Sequence, residues 1–343
     1  MSDTKIKNME EFAQISGLSR PTVSKYFHDP NSVRASTRQR IEDALVEYDY
    51  RPNIYAMNQN RKLTKNIGIV VPYLADPFFA EIARNIETRC IVAGYSPTLF
   101  SSHGDPDLER QILDNLRLLK PAGVLLAPLG RASDRSNIEA FCDEVFTVLF
   151  DSNLEGLGEA FVGSDNASFV EQTVDYLCRT GEPPCFFEMR NPANPNANKR
   201  RAAFVKNMEA LGHEPHVIRV EGTGWQFEEI GKQGGLRVLE DNSLPSSTIL
   251  CSNDRLAIGF LSACYEKGLR VGRGPGCALR VASHDDHPFS RFTCPSLTTA
   301  GHDYDGVAKG SVERLLKLIE TGERFDERTD TLCEAQLVLR ASA

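Results

Sequence analysis

Asp151, the pair Asn253-Asp254, and Asp285 each follow directly on a short aliphatic run. Those runs are Val148-Leu149-Phe150, Ile249-Leu250-Cys251-Ser252 and Arg280-Val281-Ala282-Ser283-His284. Arg200 lies early in the helical pattern after a fourth run, 185–189, and Trp225, the single tryptophan, opens another helical pattern. Carboxylates and an amide can bridge neighbouring hydroxyls, a guanidinium adds fixed donors, and an indole face covers C–H bonds. Brought together, these side chains would hold a sugar. Each also has a plainer reading. An Asp after a strand serves equally as a helix N-cap, which fits Asp254, and a lone tryptophan serves equally in a core.

A different chemistry is available near the N-terminus. Ala13, Gly17 and Val23 have the spacing of a helix-turn-helix: a small residue for close approach, glycine for the turn, an aliphatic residue to lock the second helix. The outward residues of that second helix are Arg20, Pro21, Thr22, Ser24 and Lys25. Arg20 and Lys25 can donate to guanine or phosphate, and Thr22 and Ser24 can reach phosphates. Three other patterns carry less. Gly272-Arg273-Gly274-Pro275-Gly276 has no following helix pattern and no Lys-Ser/Thr, so it reads as a loop rather than a phosphate cradle. His284-Asp285-Asp286-His287 points its consecutive side chains in different directions, which argues against a metal centre. Ser283, His284 and Asp285 are adjacent, unlike a catalytic triad, and no nucleophile has a placed base. Neither an enzyme nor a cofactor is expected.

The elements that would position these groups fall into two styles. In the first 50 residues, Asn8, Ser19 and Ser36 can cap three short helices. Met9, Phe12 and Ile15 share a face of the first; Val23, Tyr26 and Phe27 line the second. Ile41, Ala44, Leu45 and Tyr48 line the third, with Gln39 completing a capping box. From residue 66, strand-like runs at 67–71, 96–100, 123–127, 146–150, 185–189, 216–220, 248–251 and 279–283 alternate with helical patterns. Those patterns lie near 77–92, 106–119, 166–179, 198–211, 226–240 and 255–267. Such alternation implies parallel sheets covered by helices, and the number of strands implies two doubly wound lobes. Ligands in such folds bind beyond the carboxyl ends of the strands.

The chain has 343 residues and a net charge of −8. In residues 1–65, eleven Lys and Arg against eight Asp and Glu give +3, leaving −11 on the remainder. A basic head on an acidic body fits an N-terminal module that meets a polyanion. No run of about 18 apolar residues is present to span a membrane. The first residues carry no secretory signal, and nine cysteines without a CxxC pair read as reduced thiols. A cytoplasmic location is expected.

Leu18-Ser19-Arg20-Pro21-Thr22-Val23-Ser24-Lys25, Ser36-Thr37-Arg38-Gln39-Arg40-Ile41 and Tyr50-Arg51-Pro52-Asn53 closely resemble the head of the lactose/galactose repressor family. Ile67-Gly68-Ile69-Val70-Val71-Pro72 and Asp76-Pro77-Phe78-Phe79 resemble that family's first core strand and helix, and the likeness runs over nearly the whole chain. The resemblance implies a helix-turn-helix domain at 1–50, a hinge at 51–65 and a core at 66–343 that is similar to periplasmic binding proteins. It implies an N-lobe of about 66–163 and 293–321 and a C-lobe of about 164–292 and 322–343. By the same resemblance Arg20, Pro21, Thr22, Ser24, Lys25, Thr37, Asn53, Ala56 and Gln59 would contact DNA. Gln59 stands where the family usually has a wedging leucine, so a differently made kink is expected. The effector contacts would be Phe78, Phe79, Asp151, Arg200, Trp225, Asn253 and Asp285, with Asn196 and His302 as further candidates. Ala127 replaces a polar contact found in some members.

The reading that results is a homodimeric transcriptional regulator, usually a repressor, bound to a near-palindromic operator and controlled by a mono- or disaccharide or glycoside. Induction is favoured over co-repression. The alternative is a periplasmic-type sugar-binding protein, which would have no use for the helix-turn-helix.

Overall fold

The computed structural model describes residues 6, 8–51, 64–192 and 194–343. Its contacts separate two units, Met1–Thr64 and Lys65–Ala343. In the first unit, α1 (Met9–Ile15), α2 (Arg20–His28) and α3 (Ala35–Glu47) enclose a small core. Phe12, Val23 and Ile41 are fully buried in it, with Ala13, Tyr26, Ala44 and Tyr50 around them. Tyr50 stacks on Phe12 with ring centroids 4.7 Å apart. Asn8 caps α1 by accepting from the Glu11 N–H, and Ser19 caps α2 by accepting from the Thr22 N–H. Gly17 turns the chain at a φ of +65°, a conformation that costs glycine little. Arg40 of α3 donates to the Ser16 carbonyl at 3.2 Å and so ties the third helix to that turn.

Three expectations for the head need correction. The third helix begins at Ala35 with Arg34 in the cap position and no side-chain cap, so Ser36 lies inside it. Gln39 donates to Asp43 at 2.9 Å instead of reaching back in a capping box. Ile15 is 48% exposed, because the α1 core face runs through Phe12 and Ala13.

The second unit has two sheets of the same order. In the first, β2 (Ser96–Ser101), β1 (Asn66–Val71), β3 (Gly123–Leu126), β4 (Thr147–Phe150), β5 (Ala160–Ser164) and β11 (Thr329–Cys333) lie side by side, all parallel. In the second, β7 (Val217–Val220), β6 (Cys185–Met189), β8 (Thr248–Cys251), β9 (Arg280–Asp285) and β10 (Thr298–Gly301) are parallel, and β12 (Gln336–Val338) runs antiparallel to β10. The central strands are buried along nearly their whole length because helices cover both faces, and Glu188, Ser283 and His284 are among the polar residues buried in them. On the first sheet α4 (Pro77–Val92) packs with α11 (Tyr304–Thr321), and α5 (Pro106–Leu119) with α6 (Arg135–Glu144). On the second, α7 (Asn166–Thr180) packs with α8 (Asn196–Ala210), and α9 (Phe227–Glu240) with α10 (Asp254–Glu266). The last pair meets backbone to backbone at glycine: a Cβ on Gly259 would lie 2.0 Å from the Glu228 carbonyl oxygen.

Every expected strand and helix of the body is present within two residues of its expected bounds. The lobe boundaries differ. β10, expected in the N-lobe, pairs with β9 of the second sheet, and β11, expected in the C-lobe, pairs with β5 of the first. Backbone pairing therefore carries the chain between lobes three times, after β5, β10 and β11. The Asp165 N–H donates to the Cys333 carbonyl at 3.0 Å, joining two of these crossovers.

Candidate functional site

On the head, α2 presents Arg20, Pro21, Ser24 and Lys25 to solvent, while Val23 and Tyr26 anchor its other face. The Thr22 hydroxyl pairs with Ser19 Oγ at 2.8 Å, so it is already engaged in the cap. Arg20 lies 3.4 Å from Glu10, a pair exposed on both sides and therefore weak enough to exchange for a phosphate. Thr37 is half-buried in the first turn of α3. Asn53, Ala56 and Gln59 lie outside the described residues, as does most of the expected hinge.

In the body, a narrow polar cleft lies between the two sheets. Phe78, Phe79, Asp151, Asn196, Arg200, Trp225, Asn253, Asp285 and His302 all line it. Their positions follow from the topology: each lies at the carboxyl end of a strand or in the loop or helix start that follows it. Asp151 and Asp285 adopt φ of +59° and +123°, a backbone cost that other residues of the cleft must hold in place.

Arg200 is the electrostatic centre. Its Nη1 lies 2.8 Å from Asp285 Oδ1 and donates to the Ser252 carbonyl at 2.7 Å, and its Nε donates to Asn166 at 2.8 Å. Burial pushes the Asp285 carboxyl up, but Arg200 and His302 outweigh it and hold the pKa at about 2. His302 Nε2 lies 3.0 Å from Asp285 Oδ1, and its Nδ1 pairs with Ser164 Oγ at 2.7 Å. Burial lowers the His302 pKa, with the hydrogen bond and charge of Asp285 acting in the opposite direction. Ser164 ends β5 and His302 follows β10, so this pair joins two crossovers at the floor of the cleft. Asp151 has the opposite setting. Burial raises it to about 7, opposed by Lys199 and Arg200.

Three contacts reach across from lobe to lobe. Asn196 Nδ2 donates to Asp151 Oδ1 at 2.9 Å, while its own Oδ1 is buried without a partner among the described residues. Arg255 Nη1 donates to Asp76 at 3.0 Å, and Arg255 also makes a two-point pair with Glu228 at 2.6 and 2.7 Å. Trp225 stacks on Tyr73 with centroids 5.2 Å apart and an interplanar angle of 8°, and meets the edge of Phe79. Trp225 is thus both packed and cleft-lining. Asn253 caps α10 through Leu256 N–H, and Asp254 lies beneath the cleft, accepting from His287 N–H, Ser290 and Thr299. Asp254 is structural but is not the helix N-cap expected of it: Asn253 takes the cap, and the Asp254 carboxylate holds the 287–299 segment instead. His284 is buried against Phe169, apart from the direction taken by Asp285.

Sequence reasoning missed Asp76, Arg255 and Tyr73. Asp76 before Pro77 carried a cap signature, and it does cap α4 through the Phe78 N–H. Arg255, second in a helix, and Tyr73, in a turn, carried no signal that separates them from surface residues.

Known proteins share this arrangement. The profile of bacterial regulatory proteins of the lacI family matches residues 8–53, and that of the periplasmic binding protein-like domain matches 177–343. The HTH-type transcriptional regulator KdgR of Bacillus subtilis is 26% identical over 338 residues, covering 97% of each chain. A lac repressor dimer bound to operator and the anti-inducer ONPF superposes with a TM-score of 0.84 at 24% identity, over 98% of this chain and 99% of that one. The regulator CelR in complex with cellobiose superposes with a TM-score of 0.69 at 21% identity, over 98% and 100%. The two structural likenesses establish the fold.

Proposed function

The chain belongs to the lacI family of bacterial regulatory proteins and is a DNA-binding transcriptional regulator; from that premise we propose that a sugar or glycoside in the interlobe cleft sets its operator affinity. The observation that carries the effector reading is the convergence of Asp151, Asn196, Arg200, Trp225, Asn253 and Asp285 on one cleft, with Asp151 and Asp285 offering oxygen acceptors beside an aromatic wall. Carboxylates and amides bridge vicinal hydroxyls, and Trp225 and Phe79 shield the ring's C–H surface. CelR, a protein of the same fold, holds cellobiose, which supports a sugar.

The effector acts through the lobes. Asn196, Arg200 and Trp225 come from one lobe and Phe79 and Asp151 from the other, so a ligand touching both sides favours a particular lobe angle. His302 and Ser164 sit on the crossovers about which that angle changes. DNA affinity then shifts by the difference in ligand affinity between the DNA-competent and relaxed states. We assign the chain as a repressor, released from DNA by its ligand.

On the DNA side, the reading gives residues 1–50 to the helix-turn-helix, 51–65 to the hinge and 66–343 to the core. Arg20, Pro21, Thr22, Ser24 and Lys25 enter the major groove, Thr37 contacts phosphate, and Asn53, Ala56 and Gln59 belong to the minor-groove segment. A homodimer would read a near-palindromic operator in the cytoplasm, the dimer axis matching the DNA dyad. Screening sugars and glycosides by thermal shift tests the effector. A ligand at 100 times its Kd stabilises by about 2.7 kcal/mol, and Arg200→Ala should abolish that shift while operator binding persists. If no sugar shifts the melting of the wild-type chain, the effector class is wrong.

A further inference from the structure

A second recess adjoins the cleft and differs from it in charge. It is an open hollow of about 540 Å³, walled by Arg131, Arg135, Ser152 and Asn153 on one lobe and by Asn198 and Lys199 on the other. No Asp or Glu lies among the described residues that line it. The side chains of Arg131 and Lys199 make no hydrogen bond or ion pair with any described residue, and Arg135 uses one Nη2 donor on the Glu155 carbonyl at 2.6 Å. Several other arginines of this acidic body face carboxylates: Arg255 pairs with Asp76 and Glu228, Arg201 with Glu188, Arg340 with Asp286. Three cations thus line one hollow whose described wall holds no carboxylate, and an anion placed there would meet donors and no opposing negative charge on that wall.

The recess is continuous in sequence with the cleft. Asp151 faces the cleft and Ser152 the recess; Arg200 faces the cleft and Lys199 the recess. One peptide bond on each lobe separates a group that would hold a polyol from a group that would hold an anion. Gly130 and Pro195 both line the recess and approach closely: a Cβ on Gly130 would lie 2.8 Å from Pro195 Cγ and 3.2 Å from Ser152 Oγ.

We propose that this recess is an anion subsite, and that the effector is an acidic sugar whose hydroxyls lie in the cleft and whose carboxylate or phosphate lies between Arg131, Arg135 and Lys199. The proposal rests on the sugar reading of the cleft for its polyol half. An anion held from both lobes favours the same closure as the sugar, so the two contacts reinforce each other. The surroundings of Lys199 agree: partial burial, and then Arg200, lower the pKa of its ammonium, with Asp151 acting in the opposite direction. A bound anion would restore it.

The test titrates the full-length chain calorimetrically with matched sets of a neutral sugar, its aldonate and its 6-phosphate, and separately with inorganic phosphate. Wild type is compared with Arg131→Gln/Lys199→Gln and with Lys199→Arg. The expected result is an acidic member at least about tenfold tighter than its neutral partner, a gap lost in the double variant and kept in Lys199→Arg. Raising salt from low to physiological strength should narrow the gap, since the cations are solvent-facing. Which acidic group gives the larger gain separates carboxylate from phosphate. Equal affinities for neutral and acidic members, or a gap that survives in the double variant, overturns the proposal. If no sugar binds at all, the sugar reading of the cleft fails. Phosphate binding that the double variant loses then keeps the recess as an anion site, and its absence overturns that too. Unchanged thermal melting and operator binding of the variants exclude misfolding.

Discussion

At the scale of residues, two buried aspartates of one cleft are held in opposite states. Asp285 is kept charged by Arg200, with burial working against it, so its pKa is about 2. Its contribution to folding is present above the ordinary carboxylate value and is lost as pH falls through about 2. Removing it should be costly. Asp285→Ala leaves Arg200 buried without its partner, and a loss of about 3–5 kcal/mol in urea unfolding is expected. Asp151 is pushed by burial from 3.8 to about 7, so across that window the folded chain holds a proton the unfolded chain has released. Stability therefore falls as pH rises from about 4 to 7. Asp151→Asn keeps an acceptor for Asn196 and suits the positive φ at 151. It should flatten that decline in denaturation curves taken from pH 4 to 8; an unchanged slope would mean Asp151 is ionised throughout.

Elements explain how much of this was legible. The eight strand runs and six helical patterns were readable because a strand covered on both faces is continuously apolar and a covering helix is amphipathic. Reading just past those runs then located Asp151, Asn253 and Asp285. β10, β11 and β12 were not readable: Thr-Thr-Ala-Gly, Thr-Asp-Thr-Leu-Cys and Gln-Leu-Val are short or polar, with β11 largely exposed. These are the segments that carry the chain back and forth between lobes, and their loss displaced the expected boundaries. Arg255 and Tyr73 were hidden for a related reason, since a contact between lobes leaves no periodicity in either. Two substitutions test the packing of elements. Gly259→Ala drives a Cβ into the Glu228 carbonyl between α9 and α10 and should cost at least about 1–3 kcal/mol by chemical unfolding. Ser19→Ala removes the cap of α2 and should destabilise the head by about 1 kcal/mol, with operator affinity weakened and sugar binding untouched.

For the whole molecule, the net charge of −8 hides a head of +3 and a remainder of −11. Operator affinity should therefore fall steeply with salt, through the phosphate contacts of the head alone. The central claim is that occupancy of the cleft changes operator affinity, and both can be read in one titration. A labelled fragment from beside the protein's own gene is titrated with full-length chain by fluorescence anisotropy, with and without a sugar identified by thermal shift, for wild type and Arg200→Ala. Binding should be sequence-selective, and the sugar should weaken it about 5- to 150-fold in wild type, the usual range of allosteric coupling, while leaving Arg200→Ala unchanged. A sugar that binds wild type yet leaves its operator affinity unaltered would contradict the claim.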